Sequence, residues 1–136
     1  MGVTRRLVLL LVPLLALAAG DRKKQQAAGS PAIKVVEIAV RRSGSDRLIA
    51  IDGRIVNSGQ RAIRGLVLIF EVTGMDGQVV SRQRGKIEED PLAPGQESEF
   101  HWQMDDRGNA GQIGIRGVAR DDEQVKVEEP GPYDIE

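Results

Sequence analysis

Apolar and polar residues alternate along residues 51–80, which read IDGRIVNSGQRAIRGLVLIFEVTGMDGQVV. A period of two places successive side chains on opposite faces of a β-strand, whereas a helix needs a period near 3.6. The alternation stops at 57–59, Asn-Ser-Gly, and again at 75–77, Met-Asp-Gly, and both interruptions contain turn-forming residues. This stretch therefore predicts strands joined by tight turns.

The same alternation recurs along most of the chain, and outside the apolar N-terminus no window of the sequence favours a helix. We predict seven strands, near residues 33–41, 47–57, 63–73, 77–84, 97–104, 112–120 and 123–128. Many short strands with closely spaced turn signals are typical of an antiparallel sandwich or barrel and not of a layered α/β fold.

Three strands show which of their faces should point inward. The predicted inward side chains are Ile49, Ile51, Gly53 and Ile55 in the second strand, Leu66, Leu68, Phe70 and Val72 in the third, and Phe100, Trp102 and Met104 in the fifth. Val67 and Ile69 make the third strand apolar on its other face as well, so we expect this strand to be central in its sheet.

The turns between the strands follow from local chemistry. Asn57 is able to hydrogen-bond to the backbone ahead of it, and Gly59 is able to take the left-handed conformation that other residues avoid. Asp76-Gly77 is a strong hairpin dipeptide, and Pro94-Gly95 suits the two central positions of a type II turn. None of these turns requires a ligand to account for it.

The N-terminal residues 1–20 have the layout of a secretory signal peptide, with two arginines, an apolar run and small residues at the end. The apolar run is shorter than the roughly 17 to 25 residues that a transmembrane helix needs. We therefore predict export, with cleavage before Ala19 or before Asp21. An uncleaved anchor that contacts the membrane is the alternative.

The rest of the chain divides into three parts. Residues 21–31 have no apolar period and are predicted to form a flexible tether, and residues 32–129 form the predicted β-sandwich domain. Residues 130–136 contain two prolines and a glycine, so we expect this tail to fray.

Cysteine is absent from the chain. The exported protein therefore has no disulfides, no thiolate chemistry and no cysteine to carry a lipid, and its stability must come from an apolar core. We expect no cofactor.

Charge is distributed unevenly along the sequence. Residues 21–86 contain 13 basic and 6 acidic side chains, and residues 87–136 contain 4 basic and 14 acidic ones. Because strands distant in sequence can be neighbours in a sandwich, the two halves could pair inside one molecule. The alternative is that they form a charged binding face.

The sequence resembles the FxLYD-type domain, a small immunoglobulin-like β-sandwich of exported and envelope-associated bacterial proteins. The matching positions, within residues 47–102, are Gly53, Asn57, Phe70, Val72, Gly77, Val79, Val80, Leu92, Pro94, Gly95 and Phe100. Thr73 and Gly74 stand where that family has Tyr and Asp. The resemblance implies an all-β fold, an immunoglobulin-like antiparallel β-sandwich of about seven strands, and it implies no catalytic residues.

His101 is the single histidine and therefore the first candidate for catalysis. Nucleophilic catalysis needs a serine or cysteine within reach of this base. Ser98 is three residues away on the same strand and should point to the opposite face. A copper site with Met75 and Met104 fails similarly, because Met104 should face away from His101. We predict that the protein is not an enzyme.

Two predicted turns concentrate carboxylates: residues 105–111 contain Asp105 and Asp106, and residues 121–124 contain Asp121 and Asp122. Calcium needs six to eight oxygen ligands, and the spacing of an EF-hand loop is missing. A weak metal site would form if the two turns met at one end of the sandwich. A periplasmic protein that binds a small ligand or a metal ion is therefore the alternative function.

Six arginines concentrate positive charge in the first half of the chain: Arg41, Arg42, Arg61, Arg64, Arg82 and Arg84. Binding of single-stranded nucleic acid would also need exposed aromatic side chains on which bases stack, and these are scarce. We therefore expect no nucleic-acid partner. The predicted function is a non-catalytic binding or scaffolding module of the cell envelope that contacts a protein through a sheet edge or the end loops.

Overall fold

The computed structural model describes residues 29–136, so the predicted signal peptide and most of the predicted tether lie outside the described residues. The elements are β1 (Ala32–Ser43), β2 (Leu48–Asn57), β3 (Val67–Gly74), β4 (Val79–Lys86), β5 (Glu97–Asp105), β6 (Ala110–Val118), a 3₁₀ helix (Arg120–Asp122), β7 (Gln124–Glu128) and β8 (Tyr133–Asp134). Seven of the eight strands match the seven predicted ones to within a few residues. In this described part of the chain, no helix is long and apolar enough to cross a membrane.

The strands form an immunoglobulin-like β-sandwich, which confirms the predicted fold class. Their order is β4-β3-β6-β7-β1-β2-β5, and the short β8 pairs with β6. β7 pairs with β6 in antiparallel fashion and with β1 in parallel, so it joins the two layers of the sandwich. β1, β2 and β5 lie in one layer, and β4, β3 and β6 lie in the other.

The core lies between the two layers and contains the side chains predicted to point inward. Phe70 of β3 faces two aromatic residues of β5, with ring centroids 5.8 Å from Phe100 and 6.2 Å from Trp102. The aliphatic members of the predicted inward faces are also buried: Ile49, Ile51, Ile55, Leu66, Leu68 and Val72. β3 is central, as predicted, and its outward residues Val67 and Ile69 are half-buried.

Asn57 at the end of β2 connects three segments at one end of the sandwich. Its side-chain amide donates to the carbonyl oxygens of Arg61 and Leu92, both at 2.9 Å. Its side-chain oxygen accepts from the backbone N–H of Gly59 at 2.9 Å, as the turn prediction required. With 1% of its surface exposed, Asn57 is a buried polar residue whose hydrogen-bonding groups are satisfied.

Two predicted turns have the expected glycine geometry, and one does not. Gly77 has φ 80° and Gly95 has φ 77°, which places both in the left-handed region. Gly59 is not among the residues with positive φ, so that prediction is wrong. A Cβ at Gly59 would lie 3.3 Å from the backbone nitrogen of Ala32, so a close approach between chain segments favours glycine there.

The C-terminal tail differs from the frayed end that its Pro and Gly content suggested. Tyr133 pairs with Ile113 of β6, and the backbone of Glu136 hydrogen-bonds to β1 at Val40 and Arg42. These backbone contacts tie residues 133–136 to both layers.

Candidate functional site

β4 and β5 are the two ends of the strand order, and their outer edges lie on the same side of the sandwich. Within residues 29–136, β4 pairs with β3 and β5 pairs with β2, and no second strand covers either one. A free edge presents unpaired backbone N–H and C=O groups to which another strand is able to bind. We call β4, β5 and the groove between them the open side.

β4 is a surface strand with a basic outward row. Register with β3 places Arg82, Arg84 and Lys86 on the outer face of the layer. Val79 and Val80, at the start of the strand, are 41% and 40% exposed. β4 therefore offers another chain positive charge together with apolar surface.

β5 is acidic where β4 is basic, and unlike β4 it places large side chains in the core. Its sequence ESEFHWQMD contains three acidic residues and no lysine or arginine. Glu97, Glu99 and His101 lie on the outer face, and Phe100 and Trp102 point inward. β5 is therefore acidic outside and anchored by aromatic side chains inside.

The groove of the open side contains two shallow clefts. The first, of about 470 Å³, is lined by Lys86 and Glu88 from the β4 side and by Glu97 and Glu99 from β5, among others. The second, of about 330 Å³, lies further along the strands and is lined by Val80, Ser81 and Gln83 together with Gln103 and Met104 of β5, among others.

Trp102 packs against β4 within the open side. A Cβ on Gly85 of β4 would lie 3.1 Å from Cε3 of Trp102, so the absence of a side chain at Gly85 lets the indole approach β4 closely. The indole Nε1 is buried and has no hydrogen-bond partner among the described residues.

His101 forms an exposed pair with Asp52 of β2. The His101 Nδ1 to Asp52 Oδ1 distance is 2.7 Å, and Nε2 lies 3.9 Å from a Glu99 oxygen. The hydrogen bond to Asp52 raises the pKa of His101 above 6.5, and the negative charges of Asp52, Glu99 and Glu88 add to this effect, while desolvation opposes it.

The remaining elements of a catalytic site do not gather at His101. Ser98 points to the opposite face of β5, where it is buried and donates a hydrogen bond to the Glu89 carboxylate. Met104 is also buried on that face, and Met75 lies in the β3–β4 turn. The structure thus brings His101 together with carboxylates and with neither the candidate nucleophile nor Met104.

The two acidic turns lie at opposite ends of the sandwich, so the expectation that they could share one site is wrong. Asp105 and Asp106 precede β6, whereas Asp121 and Asp122 follow it, and nine residues of extended strand separate the turns. Asp106 is 2.9 Å from the Arg42 guanidinium. Within residues 29–136 no group of three or more His, Asp or Glu side chains is placed to hold a metal ion.

The basic and acidic halves of the sequence pair inside one molecule. Arg61 contacts Glu123 at 2.7 Å, and Arg54 lies 3.6 Å from Glu97 and 3.7 Å from Glu99. The six arginines considered for nucleic-acid binding are divided among β1, the β2–β3 loop and β4, in two different layers. Much of the charge asymmetry along the chain is therefore an effect of strand order.

The open side was not identified from the sequence, although its strands were. The strings VVSRQRGK and ESEFHWQMD carry three charges each, of opposite sign. That charge difference is visible in the sequence. The position of both strands as edges on one side of the sandwich is not, because it depends on how all the other strands pair.

Comparisons with known proteins give information about the fold of this chain and not about its function. No protein-family model and no curated protein matches the chain. Among solved structures, IrmA from Escherichia coli aligns with a TM-score of 0.52 and 10% identity over 76% of this chain and 97% of IrmA. The ApaA protein of Bordetella pertussis aligns at 0.46, with 17% identity over 68% of this chain and 84% of its own.

A third similar structure is the CARDB domain of a Pyrococcus furiosus protein, with a TM-score of 0.38 and 14% identity over 73% of this chain and 90% of that domain. At these identities the likeness concerns the fold alone. The function of the chain must therefore be argued from its own surface.

Proposed function

We propose that this protein is a non-catalytic, exported binding module of the bacterial envelope that holds a partner protein at its open side. The observation that carries the proposal is the pair of free edges on one side of the sandwich, one of them with exposed valines. The compatible mechanism is strand addition, in which backbone hydrogen bonds supply affinity and alternate side chains supply specificity.

Membership of the FxLYD-type family is part of this proposal, and contacts among the matching residues support it. Asn57 hydrogen-bonds to the carbonyl of Leu92, and its own carbonyl accepts from the N–H of Gly95 at 2.8 Å. Gly53 lies directly beneath the ring of Phe100. Residues that match the family pattern thus meet in space, which supports a shared architecture and an envelope location.

The absence of catalysis is supported by the surroundings of His101. This histidine is exposed, is paired with Asp52, and is separated from Ser98 by the thickness of β5. Among residues 29–136, the candidate nucleophile Ser98 lies out of reach of His101 as a general base. The ion-binding alternative receives no comparable support, because the acidic turns lie at opposite ends of β6.

The test is site-specific photocrosslinking in cells. A photoreactive residue replaces Val80 on β4, and the matched control replaces Val36 on β1, a valine of similar exposure at 44%. We expect a defined protein adduct from Val80 and none from Val36, with the adduct isolated from the envelope fraction and identified by mass spectrometry. Equal labelling from both positions, or no adduct from Val80, would contradict binding at the open side.

The same isolation tests export. A mature N-terminus at Ala19 or Asp21 is the expected result, because residues 1–20 have the layout of a signal peptide. Recovery of the protein with Met1 from the membrane fraction would instead support the uncleaved anchor, and recovery with Met1 from the cytoplasm would contradict export.

A further inference from the structure

We propose that the partner at the open side is a second copy of this chain, with β4 of each molecule paired to β5 of the other about a two-fold axis. This proposal rests on the binding role proposed for the open side and names its partner. It follows from the directions of the two strands, their relative positions and their charges.

The strand directions allow both pairs to form at once. Along the order β4-β3-β6-β7-β1-β2-β5, every neighbouring pair is antiparallel except β7 with β1. β4 and β5 of one molecule therefore run in opposite directions. A rotation of 180° about an axis parallel to the strands places a second molecule with its open side facing that of the first. The rotation leaves the direction of every strand unchanged, and it places the β5 layer of the second molecule beside the β4 layer of the first. β4 then meets an antiparallel β5 in each layer.

The positions along the strands agree with this pairing. Lys86 shares the first cleft with Glu97 and Glu99, and Val80 shares the second with Gln103, so each pair lies at a similar height. Rotation about an axis parallel to the strands preserves height. It therefore brings the basic outward row of β4 alongside the acidic outward row of β5 in the second molecule.

The charges select this arrangement over the two other edge pairings. β4 against β4 would place Arg82, Arg84 and Lys86 against the same row, and β5 against β5 would place Glu97 and Glu99 against theirs. Like charges directly opposite across strands are destabilising, and opposite charges are stabilising. Only the pairing of β4 with β5 matches charge along both edges.

The arrangement also explains why the free edges lie on the same side. A foreign partner would have to supply an acidic strand for β4 and a basic strand for β5, whereas this chain carries both. Two-fold pairing is closed, so each residue pair occurs twice and both edges of each molecule are covered. Closure removes the edge that would otherwise promote further aggregation.

The test is the mass in solution of the processed, exported protein, measured by light scattering and sedimentation equilibrium. We expect a dimer that weakens with added salt, because the matched charges are close to solvent. The β4 variant Arg82→Glu/Arg84→Glu and the β5 variant Glu97→Lys/Glu99→Lys should each raise the dimer Kd at least tenfold. The control Arg41→Glu/Lys126→Glu makes the same change in net charge as the β4 variant, but on β1 and β7, away from the open side. It should remain dimeric.

Mixing the β4 and β5 variants gives the decisive result. One variant has two acidic edges and the other has two basic edges, so an equal mixture should form a heterodimer at concentrations where each variant alone is monomeric. Restoration by mixing also shows that both variants are folded.

Three outcomes overturn the proposal: a monomeric wild type at the highest soluble concentration, a mixture that stays monomeric, or a dimer that both edge variants leave intact. A monomeric wild type that crosslinks from Val80 to a different protein would reject the second copy and leave the proposed binding function standing. A monomer with no adduct from Val80 would reject both.

Discussion

β4 and β5 are both edge strands on the open side, yet they are attached to the fold in different ways. β5 sends Phe100, Trp102 and Met104 into or against the core, whereas the one buried residue of β4 is Gly85. β5 is therefore held by side-chain packing as well as by its backbone ladder with β2, and β4 is held mainly by its ladder with β3.

This difference indicates a division of roles. A strand with few buried apolar contacts opens locally at a lower free energy than one anchored in the core. Side chains on such a strand are also less constrained by packing, so Val79 and Val80 are available for contacts with another chain. β5 supplies stability and an acidic edge, while β4 supplies an edge with basic side chains and two exposed valines.

The largest expected effect separates the two strands by their anchoring. Phe100→Ala should lower the free energy of unfolding by about 3 to 5 kcal/mol, because a large buried side chain leaves a cavity. Val80→Ala on β4 should change it by less than about 0.5 kcal/mol, as expected for a surface position. Urea unfolding monitored by Trp102 fluorescence measures both. Equal losses at the two positions would show that β4 is anchored as firmly as β5.

The second prediction concerns the glycines against which the aromatic residues of β5 pack. A Cβ at Gly53 of β2 would lie 2.4 Å from Cζ of Phe100 and 2.6 Å from the backbone oxygen of Glu37, so something must move. Gly53→Ala should therefore cost about 1 to 3 kcal/mol, the range for overpacking a core.

Gly85 of β4 is the matched comparison for Gly53. Its Cβ would lie 3.1 Å from Cε3 of Trp102, a tight contact that small shifts of the indole could relieve. We expect Gly85→Ala to cost less than Gly53→Ala, again by urea unfolding. A larger loss at Gly85 would mean that Trp102 is held rigidly between the layers and that β4 contributes more to the core than its burial indicates.

Local pattern was enough to predict the strands and their faces. Alternation identified the inward residues, because a strand with one buried face must place every second side chain in the core. The hydrogen bond between Asn57 and Gly59 was also predictable, since it joins residues two apart.

Features that depend on strand order were not predictable. The sequence cannot place Asp105 and Asp121 at opposite ends of β6, because the order of strands in space is set by pairings between distant segments. The same reason concealed the open side. β8 was missed because two residues that follow a Pro-Gly-Pro stretch carry little periodic signal, and its backbone contacts are long-range.

The smallest predicted effect concerns the protonation of His101, a group that the outward row of β5 contains and that of β4 lacks. The row on β5 contains His101, whereas the row on β4 consists of arginine and lysine. The folded-state pKa of His101 is raised above 6.5 by its hydrogen bond to Asp52, with added effects from the charges of Glu99 and Glu88. The pair therefore stabilises the fold fully below pH 6.5, and this contribution is lost as the pH rises through the raised pKa.

Because His101 is the single histidine, an NMR titration of its ring resonances reports this pKa without ambiguity. Asp52→Asn should move the pKa down toward 6.5, and Glu99→Gln should produce a smaller shift in the same direction, since the Glu99 carboxylate is 3.9 Å from the ring and the Asp52 carboxylate 2.7 Å. Substitution of Glu129, which does not contribute to the pKa of His101, is the control. If the His101 pKa of Asp52→Asn equalled that of the wild type, the proposed hydrogen bond between His101 and Asp52 would be contradicted. The outward rows of β5 and β4 would then differ only in fixed charge and in the anchoring of their strands.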